Sequence, residues 1–329
     1  MTPCRLSIVR IAVRALALML TLSPAQAAEF WLLSSWTPDY IGVPKILERY
    51  VRKVEEATTD GLRFVIVGPE AIPAFDQFEL TAIGIFDMVF THGAFHFPAS
   101  AIGTALDTVE ADPATAREAG VWAAVDAHYQ ARGLKLLAMP VSRSGYHLLL
   151  REPISAACDL AGRRVRGTIN DAGLITALGA ERVELPATEV ERALDDATLD
   201  GFVWPTLNAP DPAWLDATRY FTRPTFGTFT HLLLMNLATW HTLSPESQAL
   251  LLRQGVVHEV RAWKRSLGYV ADAEALLNQH GVQATALCGD SVVRTPKQWT
   301  DGVWEAAIAH SDEEVRHLRD LARAAGITP

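Results

Sequence analysis

Residues 30–67, with the sequence FWLLSSWTPDYIGVPKILERYVRKVEEATTDGLRFVIV, contain a strand, a helix and a second strand in succession. The apolar run at residues 30–35 predicts the first strand, and apolar residues at helical spacing predict a helix over residues 44–58. The turn Asp60-Gly61 then leads to a second strand at residues 62–67. A strand–helix–strand unit places its two strands parallel, so this stretch predicts an α/β fold.

The same alternation continues along the chain. A short helix at residues 77–84 and a strand at residues 86–91 complete a βαβαβ unit, which favours a mostly parallel sheet covered on both faces. Further strands are predicted at residues 134–139, 145–151, 164–167, 182–185 and 201–204, and further helices at residues 171–178 and 188–194. Thr188 and Glu191 have the spacing of a capping box at the start of the last helix. Because about 300 residues exceed a typical single core, two α/β domains are predicted.

A long helix is predicted from Ser244-Pro245-Glu246 to His280. Its start combines an N-cap serine, a proline in the first turn and an acidic residue. Its apolar residues keep helical spacing, and Gly255 and Gly268 are its weak points. At 1.5 Å per residue it would be about 50 Å long, more than one small domain, so we expect it to brace both domains.

The N-terminus has the pattern of a signal peptide. A positive region contains Arg5, Arg10 and Arg14. The apolar run at residues 15–22 is too short to span a bilayer, which needs about 20 residues, and Ala25-Gln26-Ala27 matches a cleavage site. We therefore expect residues 1–27 to be removed during export to the periplasm, with an N-terminal anchor helix as the alternative. Removal of the three arginines would change the formal charge from -9 to -12.

Charge and motifs exclude several function classes. An acidic chain without a basic run is a poor candidate for nucleic-acid binding, which needs clustered Lys and Arg. The chain contains no GxSxG, HExxH, Walker A or GxGxxG motif, so the common hydrolase, metalloprotease and nucleotide-binding signatures are missing.

Three patterns leave alternatives open. Cys158 and Cys288 form either one disulfide or two buried thiols, since an oxidising compartment permits both. His92 and His96 are four residues apart, as two metal ligands on a helix would be, but glycine and proline nearby indicate a loop. Acidic residues that can perform acid–base chemistry or form a solvated helix face are Glu189, Glu191, Asp195, Asp196 and Asp200.

The segment Gly162-Arg163-Arg164-Val165-Arg166-Gly167 has the strongest potential for ligand binding. Strand alternation puts Arg164 and Arg166 on the same face. Arg166 lies at the carboxyl end of its strand, where α/β sheets bind ligands, and its planar guanidinium can hold a carboxylate through two hydrogen bonds. From these residues alone, an ordinary ion pair is the simpler interpretation.

A larger pattern resembles a known family. Residues 162–167 are followed in order by Leu178-Gly179-Ala180, Leu185-Pro186, Glu189-Val190, Ala193-Leu194 and Asp200-Gly201, and later by Asn236, Trp240, Leu243, Pro245 and Glu246. With the long helix, this resembles the dicarboxylate-type solute-binding proteins of tripartite ATP-independent periplasmic (TRAP) transporters, over essentially the whole chain after residue 27. The resemblance implies a two-domain α/β periplasmic binding protein fold with a hinged cleft and a long helix spanning both domains.

The resemblance also implies domain boundaries and site residues. Residues 28–144 plus 229–269 are expected to form domain I, and residues 145–228 plus 270–329 domain II. Arg166 matches the family's carboxylate-binding arginine. The other residues expected at the ligand site are His147, Trp204, Trp36, His92, Phe75, Glu70 and Asn236.

Two features resemble the keto-acid-binding branch of this family. These are Trp204 and the loop at residues 68–73. That branch can hold a metal ion through a glutamate that precedes the tryptophan, but Val203 stands here, so neither a metal nor another cofactor is predicted. An aromatic slot with one arginine suits a planar or apolar monocarboxylate.

The predicted function is therefore that of an exported receptor that captures a small organic acid and delivers it to the membrane subunits of a TRAP permease. It is not predicted to be an enzyme. Relatives in the keto-acid branch sometimes form homodimers, which leaves the oligomeric state open. The alternatives are a secreted hydrolase or lyase that acts on a carboxylate, and a ligand-binding sensor module.

Overall fold

The computed structural model describes residues 29–38, 43–59, 61–207, 212–288 and 291–328. The predicted signal peptide lies outside these residues. The strands are β1 Glu29–Ser34, β2 Arg63–Val67, β3 Met88–His92, β4 Leu134–Ala138, β5 Val141–Ser142, β6 Tyr146–Leu150, β7 Arg164–Arg166, β8 Glu181–Val183, β9 Gly201–Pro205, β10 Tyr220–Arg223, β11 Phe229–Asn236 and β12 Gln283–Ala286.

The α-helices are α1 Val43–Ala57, α2 Gln77–Ala82, α3 Ile102–Ala105, α4 Pro113–Glu118, α5 Val121–Gln130, α6 Ala172–Ala177, α7 Val190–Asp195, α8 Pro212–Ala217, α9 Leu237–Thr242, α10 Pro245–Gln279, α11 Ser291–His310 and α12 Asp312–Ala324. Short 3₁₀ turns lie at Gly93–His96, Leu106–Thr108, Ile169–Asp171 and Ala187–Glu189. Within the described residues, no helix is both long and apolar enough to cross a membrane.

Two mixed sheets form the centres of two lobes. The first sheet has the order β2-β1-β3-β11-β4, with β5 paired to β11, and the second has the order β12-β10-β6-β9-β7-β8. β1 pairs in parallel with β2 and β3, which confirms the βαβαβ unit. β11 enters this sheet antiparallel to β3 and β4. The first sheet is therefore less parallel than predicted, because a strand from late in the chain completes it.

The helix start predicted at Thr188 is wrong. The backbone N–H of Glu189 bonds to the carbonyl of Pro186, so the chain first makes a 3₁₀ turn and α7 begins only at Val190. Thr188 lies inside that turn, where its hydroxyl does not cap the helix. The predicted capping box with Glu191 is therefore not formed.

The C-terminal helices correct the predicted division of the chain. Buried side chains of α11 and α12 share one core with Leu33 and Val89 of the first sheet: they are Trp304, Ala307, Val315, Leu318 and Ala322. Residues 270–329 therefore do not all belong to the second lobe. The amphipathic faces of these helices require burial, but their pattern does not say which sheet they cover.

α10 extends along both lobes, which confirms the predicted long helix. The hydroxyl of Ser244 accepts the backbone N–H of Ser247, 3.1 Å away, as an N-cap. Near its start, Leu251 lies in a core cluster with residues of the first sheet, and near its end, Leu277 lies in the core of the second lobe.

In the second lobe, Cys158 and Cys288 form a disulfide, which resolves the alternative left open by the sequence.

The two interior glycines of α10 are expected to respond in opposite ways to alanine. A Cβ at Gly255 would overlap the carbonyl oxygen of Leu137, whereas a Cβ at Gly268 would meet open space. Gly268→Ala should therefore stabilise the protein by about 1 kcal/mol through helix propensity. Gly255→Ala should destabilise it by about 1–3 kcal/mol through overpacking. Urea unfolding of both variants checks the pair, and equal effects would contradict the close contact between α10 and β4.

Candidate functional site

The strand ends that carry the predicted site residues meet between the two sheets. β3 ends at His92 and β7 ends at Arg166, while the antiparallel strands β11 and β6 begin at Phe229 and Tyr146. The hydroxyl of Tyr146 lies 3.4 Å from Nε2 of His92, and the rings of Tyr146 and Phe229 are 5.6 Å apart. These contacts join the first lobe to the second at the strand ends.

A buried carboxylate connects the lobes at this junction. Oδ2 of Asp107 accepts hydrogen bonds from the Tyr146 hydroxyl at 2.6 Å and the Asn170 side-chain amide at 3.1 Å, and it lies 2.8 Å from Nε2 of His92. Oδ1 accepts the backbone N–H of Thr230 at 2.8 Å. We call these five residues the Asp107 cluster. It joins two strands of the first sheet to β6 and to the 3₁₀ turn that follows β7.

The Asp107 cluster is closed to solvent. Asp107 is fully buried, and Tyr146 is 6% exposed. Burial and the neighbouring carboxylate of Asp107 raise the pKa of the Tyr146 phenol well above its ordinary value, so the phenol keeps its proton and donates it. His92 accepts the backbone N–H of Ala94 at Nδ1, so its proton lies on Nε2 and is donated to Asp107. Both ring nitrogens of His92 are thus used within the protein.

The second sheet brings together three of the predicted ligand-binding residues. Arg166 pairs with Phe202 in the parallel ladder, and His147 lies opposite Trp204 in the antiparallel ladder, so the four side chains share one face. The guanidinium carbon of Arg166 lies 5.9 Å from the centre of the Trp204 ring. Nε of Arg166 donates to the carbonyl of Leu185 at 3.1 Å, which fixes the direction of the side chain.

His147 and Arg223 add hydrogen-bond donors beside this face. Nδ1 of His147 lies 3.4 Å from Nη1 of Arg223. Since arginine only donates, Nδ1 accepts and the proton lies on Nε2. Burial, with the charge of Arg223, lowers the pKa of His147 to about 3, so the ring is neutral. In the described part of the chain, Nε2 of His147 and Nη2 of Arg223 are buried without a hydrogen-bond partner. Buried donors of this kind require an acceptor.

Aromatic rings form the first-lobe side. The centre of the Trp36 ring lies 5.3 Å from that of Phe90 and 5.1 Å from that of His231. The ring of His92 stacks on that of Phe229, with 4.6 Å between their centres. Phe75 is 60% exposed and its ring meets Phe95 edge-on at 5.4 Å. Phe95 also meets Trp36, at 5.8 Å. The predicted residues Trp36, His92 and Phe75 therefore belong to one aromatic wall.

Asn236, which was also predicted to contact the ligand, lies away from these residues. Its amide donates to the carbonyls of Thr81 and Ala82, and its Oδ1 accepts the N–H of Thr239, so it joins β11 to α2 and caps α9. It follows Met235, which pairs with Met88 at the opposite end of β3 from His92. Five residues of strand separate it from His231, which is about 17 Å.

Glu70 and His96 also stand apart from the Asp107 cluster. Glu70 lies in the exposed turn after β2, with its carboxylate folded against Gly68. His96 stacks on Phe78 at 4.3 Å and lies 3.0 Å from the Tyr129 hydroxyl, in the core of the first lobe. His92 and His96 therefore do not converge on one point, and the described residues contain no group of His, Cys, Asp or Glu arranged to hold a metal ion.

Comparison with known proteins assigns the chain to a family. The sequence model of the bacterial extracellular solute-binding proteins of family 7 (DctP) matches residues 96–287, more than half of the chain. The chain belongs to this family. The relationship predicted from residues 162–246 is thereby confirmed, and the protein is a solute-binding protein.

Solved structures of bacterial solute receptors share its fold. A TRAP solute-binding protein from Desulfovibrio salexigens with bound orotic acid matches with a TM-score of 0.79 at 19% identity, covering 90% of this chain and 98% of its own. A Bordetella pertussis receptor binding pyroglutamic acid matches with a TM-score of 0.74 at 14% identity, covering 90% of this chain and 100% of its own. A TRAP solute-binding protein from Colwellia psychrerythraea with bound calcium and pyruvate matches with a TM-score of 0.75 at 16% identity, covering 91% of this chain and 94% of its own. The predicted two-domain architecture is confirmed.

Sequence reasoning missed several residues of this solute-binding protein's junction. Asp107 and Asn170 carried no motif, and their roles depend on partners that are distant in sequence. Arg223 also ends a strand, as Arg166 does, but no strand was predicted at Tyr220–Arg223. For Tyr146 the sequence did contain a signal. Strand alternation places Tyr146 and His147 on opposite faces of β6, so Tyr146 could have been predicted to lie on the other face of the sheet from His147.

Acid is expected to destabilise the solute-binding protein through its buried histidines. Burial lowers the pKa of His96 and His147 to about 3 and that of His258 to about 4. The unfolded chain takes up these protons near its ordinary pKa of about 6.5, so stability is full above that pH and falls as the pH drops towards the folded values. The slope should approach about 1.4 kcal/mol per pH unit for each histidine.

Urea unfolding between about pH 7.5 and pH 4.5 measures this slope. His96→Gln should reduce it, while His280→Gln, which changes an exposed histidine, should not. An equal slope in the native protein and in His96→Gln would show that burial of His96 does not keep it neutral.

Proposed function

We propose that this solute-binding protein captures a small organic acid between its lobes and delivers it to the membrane subunits of a TRAP-type permease. The observation that carries the proposal is the set of donors on one face of the second sheet. Nε2 of His147 and Nη2 of Arg223 are buried donors that have no hydrogen-bond partner among the described residues, and Arg166 lies on the same face. A carboxylate is the acceptor that such donors suit best.

Each residue has a separate role in this proposal. Arg166 holds the carboxylate, since its fork matches two carboxylate oxygens. His147 and Arg223 bind a second polar group of the ligand, and Trp204, which lies opposite His147 on β9, packs against the ligand body. The aromatic wall around Trp36 covers the ligand from the first lobe. Closure of the lobes removes water and strengthens the ion pair with Arg166.

Other observations support the same proposal. The structures that share the fold hold orotic acid, pyroglutamic acid and pyruvate, and each of these ligands has a carboxyl group. The predicted signal peptide and the family's extracellular character support a location in the periplasm, beside a membrane permease. In this role the protein releases its ligand unchanged and is not an enzyme. The Trp204 position favours keto or aromatic acids, and a homodimer remains compatible with this role.

A thermal-shift screen against organic acids tests the proposal. Keto, aromatic and aliphatic acids are compared with their neutral amides at constant ionic strength, because a ligand that binds only the folded state raises the apparent Tm. Acids should raise the Tm and the matched amides should not. Binding only to sugars or amines would exclude a carboxylate receptor. Mass spectrometry of the recovered ligand separates the alternatives, since an altered acid would indicate a hydrolase or lyase.

A further inference from the structure

A second concentration of cationic side chains lies where α1 packs against α10 on the first lobe. The two helices are joined by the Tyr50 hydroxyl, which donates to the carbonyl of Leu251 at 3.2 Å. They enclose a small cavity, and its lining includes Ile46, Arg49, His258, Arg261, Arg265 and Tyr269. Three arginine side chains from two helices therefore line one space. None of these residues belongs to the Asp107 cluster or to the proposed carboxylate site.

The three arginines of this cavity have no acidic partner among the described residues. Across the described ranges, no carboxylate lies within 4.0 Å of Arg49, Arg261 or Arg265. By contrast, two other arginines near these helices have acidic partners. Arg52 of α1 forms an ion pair with Glu56, and Arg117 forms an ion pair with the buried Glu259 of α10. Like charges four residues apart on a helix repel each other, as Arg261 and Arg265 do. Such an arrangement costs stability unless an anion neutralises it.

The other polar residues that line the cavity, His258 and Tyr269, can also donate hydrogen bonds. His258 is 7% exposed, and its ring packs edge-on against Tyr50 at 5.6 Å. Burial, with the charges of Arg261 and Arg49, lowers its pKa to about 4, so it is neutral and retains one N–H. Burial and the repulsion from Arg265 and Arg261 also lower the pKa of Arg49. The cavity thus offers guanidinium, imidazole and phenol donors without a carboxylate acceptor among the lining residues.

We propose that this cavity, the α1–α10 site, binds a phosphate group. Three fixed positive charges suit an anion with several acceptor oxygens, such as a phosphate group, better than they suit a single carboxylate. Free phosphate is a mixture of mono- and dianion at neutral pH and a phosphodiester headgroup is a monoanion, and both present several acceptor oxygens to the arginines. The group belongs either to free phosphate or to a lipid headgroup. The second source has structural support, because Val256 and Val257 continue the same face of α10 and are 41% and 47% exposed.

Titration with inorganic phosphate tests the α1–α10 site directly. Isothermal titration calorimetry at about pH 7.5, with sodium chloride holding the ionic strength constant, should show saturable binding to the native protein. The double variant Arg261→Gln/Arg265→Gln should bind about ten- to hundredfold more weakly for each lost charged hydrogen bond. Arg253→Gln is the matched control, since it removes an exposed arginine of α10 that does not line the cavity.

Two further measurements locate the binding and its source. Arg166→Gln should retain the phosphate response, which separates this site from the proposed carboxylate site. Phosphate binding that is lost in Arg166→Gln but kept in the double variant would overturn the inference. Co-sedimentation with phosphatidylglycerol vesicles, against phosphatidylcholine vesicles, detects the headgroup, and loss of binding in the double variant would support it. If neither phosphate nor anionic vesicles distinguish the native protein from the double variant, the site does not exist.

Discussion

Substitution of Arg166 by glutamine is expected to weaken binding of the cognate organic acid by about a hundredfold to several thousandfold. Loss of one partner of a shielded ion pair leaves the other charge uncompensated, at a cost of about 3–5 kcal/mol. Arg166→Lys should recover part of this loss, since lysine keeps the charge but not the planar fork. Isothermal titration with the acid found in the thermal-shift screen measures all three proteins.

Arg164→Gln provides the matched control for this prediction. Arg164 and Arg166 share a strand and a face, but the side chain of Arg164 is bound to Asp200 at 3.1 Å through both Nε and Nη2. Its loss should leave ligand affinity nearly unchanged. If Arg164→Gln and Arg166→Gln weaken binding equally, the effect comes from general positive charge, and the proposed clamp at Arg166 is wrong.

Removal of the Asp107 carboxylate is expected to give the largest loss of stability among single substitutions at the junction. Asp107→Ala leaves the buried donors of His92, Tyr146, Asn170 and Thr230 without their acceptor. An unsatisfied buried donor costs about 1–3 kcal/mol, so we expect a loss of about 4 kcal/mol or more. Urea unfolding followed by circular dichroism measures the change in free energy.

Two variants show whether this loss arises from the bonds between the lobes. Tyr146→Phe removes one donor of the Asp107 cluster and keeps the ring, so it should cost about 1 kcal/mol. Asp195→Ala removes an exposed carboxylate and should have almost no effect. If Asp107→Ala unfolds at the same urea concentration as the native protein, the cluster does not hold the lobes together.

Elements defined by local patterns were predicted well from the sequence. Apolar runs and helical spacing predicted β1, α1 and the βαβαβ unit, and the Ser244-Pro245 start predicted α10 to within one residue at each end. These features depend on neighbours a few residues away, which is the range over which strand and helix periodicity act. The resemblance carried by residues 162–246 predicted the family in the same way, from spacing along the chain.

Features that depend on distant partners were predicted poorly. Asp107 contacts Tyr146, Asn170 and Thr230, which are 39, 63 and 123 residues away in the sequence. No local pattern encodes such contacts. The same reason explains why the bonds of Asn236 to Thr81 and Ala82 were not predicted. It also explains why α12 was assigned to the second lobe although it packs on the first sheet.

The sequence by itself determined the α/β alternation, the long helix and the family of this solute-binding protein, because periodicity and motif spacing are properties of the linear chain. Only the tertiary structure decided that Arg223 stands beside His147, that Asp107 joins the lobes and that three arginines of α1 and α10 share one cavity. These arrangements exist only after strands and helices from separate parts of the chain pack together, since hydrogen bonds and charge repulsion act over a few ångströms of space and not along the sequence.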